Sequence, residues 1–215
     1  MVQLRWGTPT LLTLELALLV ELPSPVRVVV LGRLQVLLPN QTHPLVQIRM
    51  DALGVLDVSA ETVALDATLY DSRILQFTLT GDMALRAGWG RQPQFVLAIG
   101  GFHPRFAPPP GLPALQRLAL QLADGDSLQL RCQAYLAVTS NTVQFGARVD
   151  LHAAGGGFSF DGMLGFDAIL QLAPLAFEVD VGAALALRYH GRLLMGISFK
   201  GRLAGPTPWQ VAGKA

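Results

Sequence analysis

Apolar and polar residues alternate along most of this chain. From Val26 to Leu38 the apolar positions are Val26, Val28, Val30, Leu34, Val36 and Leu38, with Arg27, Arg33 and Gln35 between them. From Leu45 to Asp57, Val46, Ile48, Met50 and Leu56 alternate with Gln47, Arg49, Asp51 and Asp57. From Leu75 to Ala87, Leu75, Phe77, Leu79, Met83 and Leu85 alternate with Gln76, Thr78, Thr80 and Asp82. The second half repeats the pattern on runs through Leu130–Val138, Val143–Ala153, Phe158–Leu172, Phe177–Leu187 and Leu193–Leu203. A period of two with one polar side predicts strands with one apolar face.

Turn residues separate the runs. Pro23-Ser24-Pro25, Pro39-Asn40-Gln41, Gly88-Trp89-Gly90, Ser140-Asn141, Gly155-Gly156-Gly157, Ala173-Pro174 and His190-Gly191 all predict reversals. The spacing gives roughly a dozen strands, many of them about 10–13 residues against an ordinary length of about five or six. Short connections imply antiparallel neighbours. The stretch from Ala114 to Ala123 fits either a helical stripe or a strand, and is read as strand by its company. Tyr70-Asp71-Ser72-Arg73-Ile74-Leu75 also resembles Tyr189-His190-Gly191-Arg192-Leu193-Leu194, a weak internal repeat.

The predicted fold is therefore all-β: long antiparallel meandering strands in one curved sheet, either an open groove or a closed barrel or sandwich. It reads as a single β-rich module over 1–215. A division into two similar sub-units, about 1–93 and 94–215, stays open.

Composition changes what the pattern means. The chain of 215 residues is 51% hydrophobic and only 14% charged, and its mean hydropathy is +0.42. Such a composition alone suggests a membrane protein, but the apolar residues are dealt singly to one side of each strand. No run of about 18 uncharged apolar residues predicts a spanning helix. Glu15 interrupts the apolar stretch near the start, which reads as a strand and not as a signal peptide. Sixteen basic against 15 acidic side chains argue against a nucleic-acid partner. Compartment is left unassigned.

About a dozen such strands make an apolar face far larger than the few hundred Å² a monomer normally exposes. Four covers are open. The sheet closes on itself, it forms a trough for acyl chains, it packs on another domain or copy, or it faces lipid as an outer-membrane barrel. The last predicts aromatic girdles at both ends, whereas only 7% of residues are aromatic. As apolar ligand-binding positions, the first half offers Val28, Val30, Ile48, Phe77 and Leu79. The second half offers Phe145, Phe160, Phe166, Val179, Ile197 and Phe199.

Polar chemistry is sparse. Cys132 is the single cysteine and His43, His103, His152 and His190 have no ligand spacing, so no metal or cofactor is expected. No G-x-S-x-G elbow or phosphate-binding loop occurs. The least ordinary stretch is Ile99-Gly100-Gly101-Phe102-His103-Pro104-Arg105-Phe106, where His103 and Arg105 form a candidate polar site. The carboxylate pairs Asp161/Asp167 and Glu178/Asp180 read as solvated charge on polar faces. An enzymatic role is not expected. A pocket gathering His103, Arg105 and a carboxylate would reopen it.

Four motifs carry a family resemblance: IGGFHPRF at 99–106, AYLAVTSNTVQFGA at 134–147, GMLGFDAILQLAP at 162–174 and GPTPW at 205–209. Over residues 94–213 the chain resembles a group of large bacterial proteins that share a β-rich domain of unknown function. The resemblance implies a β module of a larger protein and brings no catalytic residues. Together these readings predict a non-enzymatic binding module with an extended apolar face for lipid-like ligands. The alternative is a structural or assembly module whose face packs on a second copy or on neighbouring β modules.

Overall fold

A computed structural model describes residues 2–8, 10–22, 26–91 and 93–215, so the reversal expected at Pro23-Ser24-Pro25 lies outside the described residues. The chain is all-β. Among the described residues, sixteen strands pair antiparallel wherever the register is defined, and no helix occurs. Two compact units divide it: Met1–Gly101 with Pro109–Leu118, and Phe102–Pro108 with Ala119–Ala215.

The first unit contains β1 (Val2–Trp6), β2 (Leu12–Glu21), β3 (Arg27–Leu38), β4 (Val46–Asp57), β5 (Thr62–Leu69), β6 (Ser72–Ile74), β7 (Phe77–Thr80), β8 (Asp82–Gly88) and β9 (Gln94–Ile99). Their order is β1-β2-β3-β4-β5-β8-β9. Cross-strand ion pairs reinforce the apolar register. Arg27 faces Asp57 at 2.8 Å, and Arg33 faces Asp51 at 2.9 Å, each directly across the β3–β4 ladder. The hydrogen bond from Arg27 holds the Asp57 carboxyl below its ordinary range.

One predicted strand is broken. The run from Leu75 to Ala87 is split into β7, which pairs with β6 just before it as a short ribbon, and then β8. Gly81 ends the ribbon at φ +150°, and a Cβ there would sit 2.8 Å from the Leu118 Cα. Phe77 and Leu79 therefore lie on β7, paired with β6, off the main strand order.

The second unit is more regular. β10 (Leu118–Asp124), whose residues from Ala119 belong here, lies beside β11 (Leu128–Thr139). Four further strands follow as hairpins: β12 (Thr142–Gly155), β13 (Phe158–Gln171), β14 (Ala176–Tyr189) and β15 (Arg192–Gly205). β16 (Gln210–Lys214) closes the order. The stretch from Ala114 is thus strand only from Leu118. The β12–β13 and β14–β15 turns each use two residues with positive φ, Gly156-Gly157 and His190-Gly191. That geometry matches the twist of a two-residue hairpin. His190 at φ 44° and Asp71 at φ 41° occupy the same place in the internal repeat, but β14 pairs with β15 whereas β6 pairs with β4 and β7, so the two stretches share one positive-φ residue and not a hairpin.

Candidate functional site

Register assigns the side chains of β11 to β15 to faces. Leu136, Phe145, Ala168, Val179 and Leu203 form one rung, and Cys132, Val149, Leu164, Ala183 and Phe199 another. From β11 to β14, and on β15 from Met195, this face carries no Asp, Glu, Lys, Arg or His. It is not a buried core: Leu164 and Ile197 are each 60% exposed, Phe199 46% and Phe145 44%. Aromatic rings mark its ends. Phe158 packs on Tyr189 at 4.6 Å where β13 and β14 meet, and Phe177 meets Trp209 edge-on at 5.2 Å at the opposite end of β14.

The candidate apolar positions fall into separate sets. Phe145, Phe160, Phe166, Val179, Ile197 and Phe199 share this face, with Phe145 and Phe166 edge-to-face at 6.1 Å. Val28, Val30 and Ile48 share a face of β3–β4 in the first unit. Phe77 and Leu79 sit apart on β7.

The opposite face of the second unit holds the polar chemistry. The loop Phe102–Pro108 packs there, with Phe102 and Phe106 stacked at 5.5 Å. His103 is 2% exposed, and its backbone N–H donates to Gln144 Oε1 at 2.9 Å. Gln144, fully buried, donates to Thr142 Oγ1 at 2.8 Å, which in turn shares a hydrogen bond with Thr139 at 2.8 Å. The Arg105 guanidinium pairs with both Glu178 and Asp180 on β14, and Arg202 reaches Glu178 Oε2 at 2.7 Å. The two candidate polar residues are thus brought together with a carboxylate pair that the sequence reads as solvated.

This cluster has the constituents of a cation site, since His103, Glu178 and Asp180 offer ligand atoms within 4.8 Å of one another. Its hydrogen bonding opposes that use. The Arg105 backbone N–H donates to His103 Nδ1 at 3.2 Å, which leaves the proton of a neutral ring on Nε2, the nitrogen left to ligate. Two guanidiniums already neutralise the acids. The ring is buried, and these contacts fasten the loop to β12 and β14.

A groove of about 790 Å³ lies elsewhere on this polar face. Arg131 on β11, Arg148, Asp150 and His152 on β12, Asp161 on β13 and Arg188 on β14 stand around it. The Arg148 fork closes on Asp150 at 2.7–2.9 Å. His152 meets Asp161 at 2.6 Å, and Arg188 pairs with the same carboxylate. Chiefly through the His152 hydrogen bond, Asp161 is held below the ordinary carboxylate range. Sequence reading passed over this groove, although alternate polar positions on neighbouring strands, once in register, would have shown it.

The model of a family of unknown function, DUF6603, matches residues 1–215. No curated protein and no solved structure matches the chain.

Proposed function

The chain belongs to DUF6603, a family of unknown function, and we propose that it is a non-enzymatic binding module whose working surface is the apolar sheet face of the second unit, with lipid hydrocarbon as the occupant. The observation that carries the reading is the exposure of a face with no charged side chain from β11 to β14 or on β15 from Met195. At about 4.8 Å between strands and about 3.4 Å per residue, five paired strands of this length make a face roughly 25 by 40 Å. The largest apolar patch on a typical monomer is about 300–600 Å². Leaving the larger area in water is costly, and hydrocarbon covers it without requiring any polar partner.

The border of the face favours lipid over a protein surface. Tyr189 and Trp209, each with an apolar ring and a polar handle, stand at opposite ends of the uncharged band. Such rings concentrate where hydrocarbon gives way to water.

Flotation with phosphatidylcholine vesicles tests this. The intact chain is expected to float with the vesicles, and Leu164→Arg to sink. An arginine on a lipid-facing strand costs about 2–4 kcal/mol, a loss on the order of 30-fold or more in partitioning. A chain that stays at the bottom of the gradient, with light scattering showing oligomers that Leu164→Arg dissolves, would instead mean that the face packs on copies of itself.

A further inference from the structure

The polar groove has a charge arrangement that ion pairing within the sheet leaves incomplete. Arg131 on β11 lies directly opposite Asp150 on β12, the position where a cross-strand pair would normally form. Asp150 is instead held by three hydrogen bonds from Arg148, two residues back on its own strand. That pairing raises the Arg148 pKa further above its ordinary value. The Arg131 side chain has no hydrogen-bond or ion-pair partner among the described residues, and it is exposed to the groove.

The surroundings of Arg131 suit a ligand. Gln129 and Gln133 flank it at alternate positions on β11, facing the same way. His152 and Arg148 lie diagonally across on β12. On the β14 side the groove is lined by Ala184 and Ala186, whose short side chains leave space beside the taller wall. Its volume of about 790 Å³ falls in the range of small-molecule sites, about 300–1,000 Å³.

We propose that this groove is a binding site for a small oxyanion-bearing ligand, a phosphate or carboxylate compound, gripped by the Arg131 guanidinium and flanked by the Gln129 and Gln133 amides. A planar guanidinium with free N–H groups matches such an anion bidentately. The site is on the face opposite the hydrocarbon surface, and it stands or fails independently of it.

Titration of the full chain with inorganic pyrophosphate, and separately with citrate, tests the proposal. Calorimetry reads affinity, and the Arg131 Nε–H signal in NMR reads the location. At least one probe is expected to bind and to shift that signal, and the preferred one distinguishes phosphate from carboxylate ligands. Arg131→Gln is expected to weaken binding tenfold or more. Asp150→Asn should strengthen it several-fold, because it removes the acid directly opposite Arg131 and releases the Arg148 fork toward the ligand, with Asp124 and Asp161 left in the groove lining. A folding defect lowers both, so opposite signs identify the site. Arg5→Gln, on β1, leaves affinity unchanged. No binding of either probe at 10 mM (roughly the weak end of specific recognition), or equal affinity of Arg131→Gln and the natural chain, overturns the proposal.

Discussion

At the scale of single residues, the largest consequences attach to buried hydrogen-bonding groups. Gln144 is fully buried and spends its carbonyl on the His103 N–H and its amide on Thr142. Leucine in its place keeps the volume but leaves the His103 N–H without that acceptor. An unsatisfied buried polar group costs about 1–3 kcal/mol, so Gln144→Leu should lower the unfolding free energy by that amount, read as a lower urea midpoint at unchanged slope. It should also raise amide exchange at His103 and through the loop it anchors. Unchanged exchange there would mean that the loop is held by Arg105 and the Phe102–Phe106 stack alone. The sequence shows this stretch as unusual, but not why. His103 and Gln144 are 41 positions apart, and Arg105 and Asp180 are 75 apart; only strand register brings them together.

At the scale of strands, alternation was almost the whole signal, and it located β3, β4 and β11 to β15 closely. It failed where a glycine answers to a distant backbone. The Leu75–Ala87 run keeps its period of two through Gly81, yet the Leu118 backbone fills the space a Cβ would need, and the strand breaks. Gly146 is the more instructive case, because it lies inside a regular strand. Tyr135, Gly146 and Asp167 form one rung, and the Tyr135 ring lies across Gly146 so that its hydroxyl donates to Asp167 at 2.9 Å. A Cβ on Gly146 would collide with that ring and lie 2.7 Å from the Phe166 carbonyl oxygen. Gly146→Ala should therefore destabilise the chain by about 1–3 kcal/mol, the usual cost of overpacking, although alanine suits a strand no worse than glycine. Thermal unfolding checks this, and in a Tyr135→Ala background the same glycine substitution should cost less, because the ring it meets is gone.

At the scale of the whole chain, the low charge content and the exposed face combine into one expectation about how it meets lipid. Basic and acidic side chains number 16 and 15, and in the second unit nearly all of them lie on the polar face or in turns. Many are already paired there, as Arg148 is with Asp150 and Arg202 with Glu178. A protein drawn to membranes by basic residues gains about 1 kcal/mol for each one near an anionic surface. It releases when salt shortens the Debye length to about 3 Å at 1 M. The apolar face of the second unit offers no such patch. Vesicle binding should then be nearly equal for neutral and anionic phospholipids and should persist at about 1 M salt, where screening removes electrostatic attraction. Salts that strengthen apolar burial, such as sulfate, should increase it. Flotation across salt and headgroup charge measures both. Binding that needs anionic lipid and vanishes with salt would place the contact on the charged face and remove the apolar sheet from the role assigned to it.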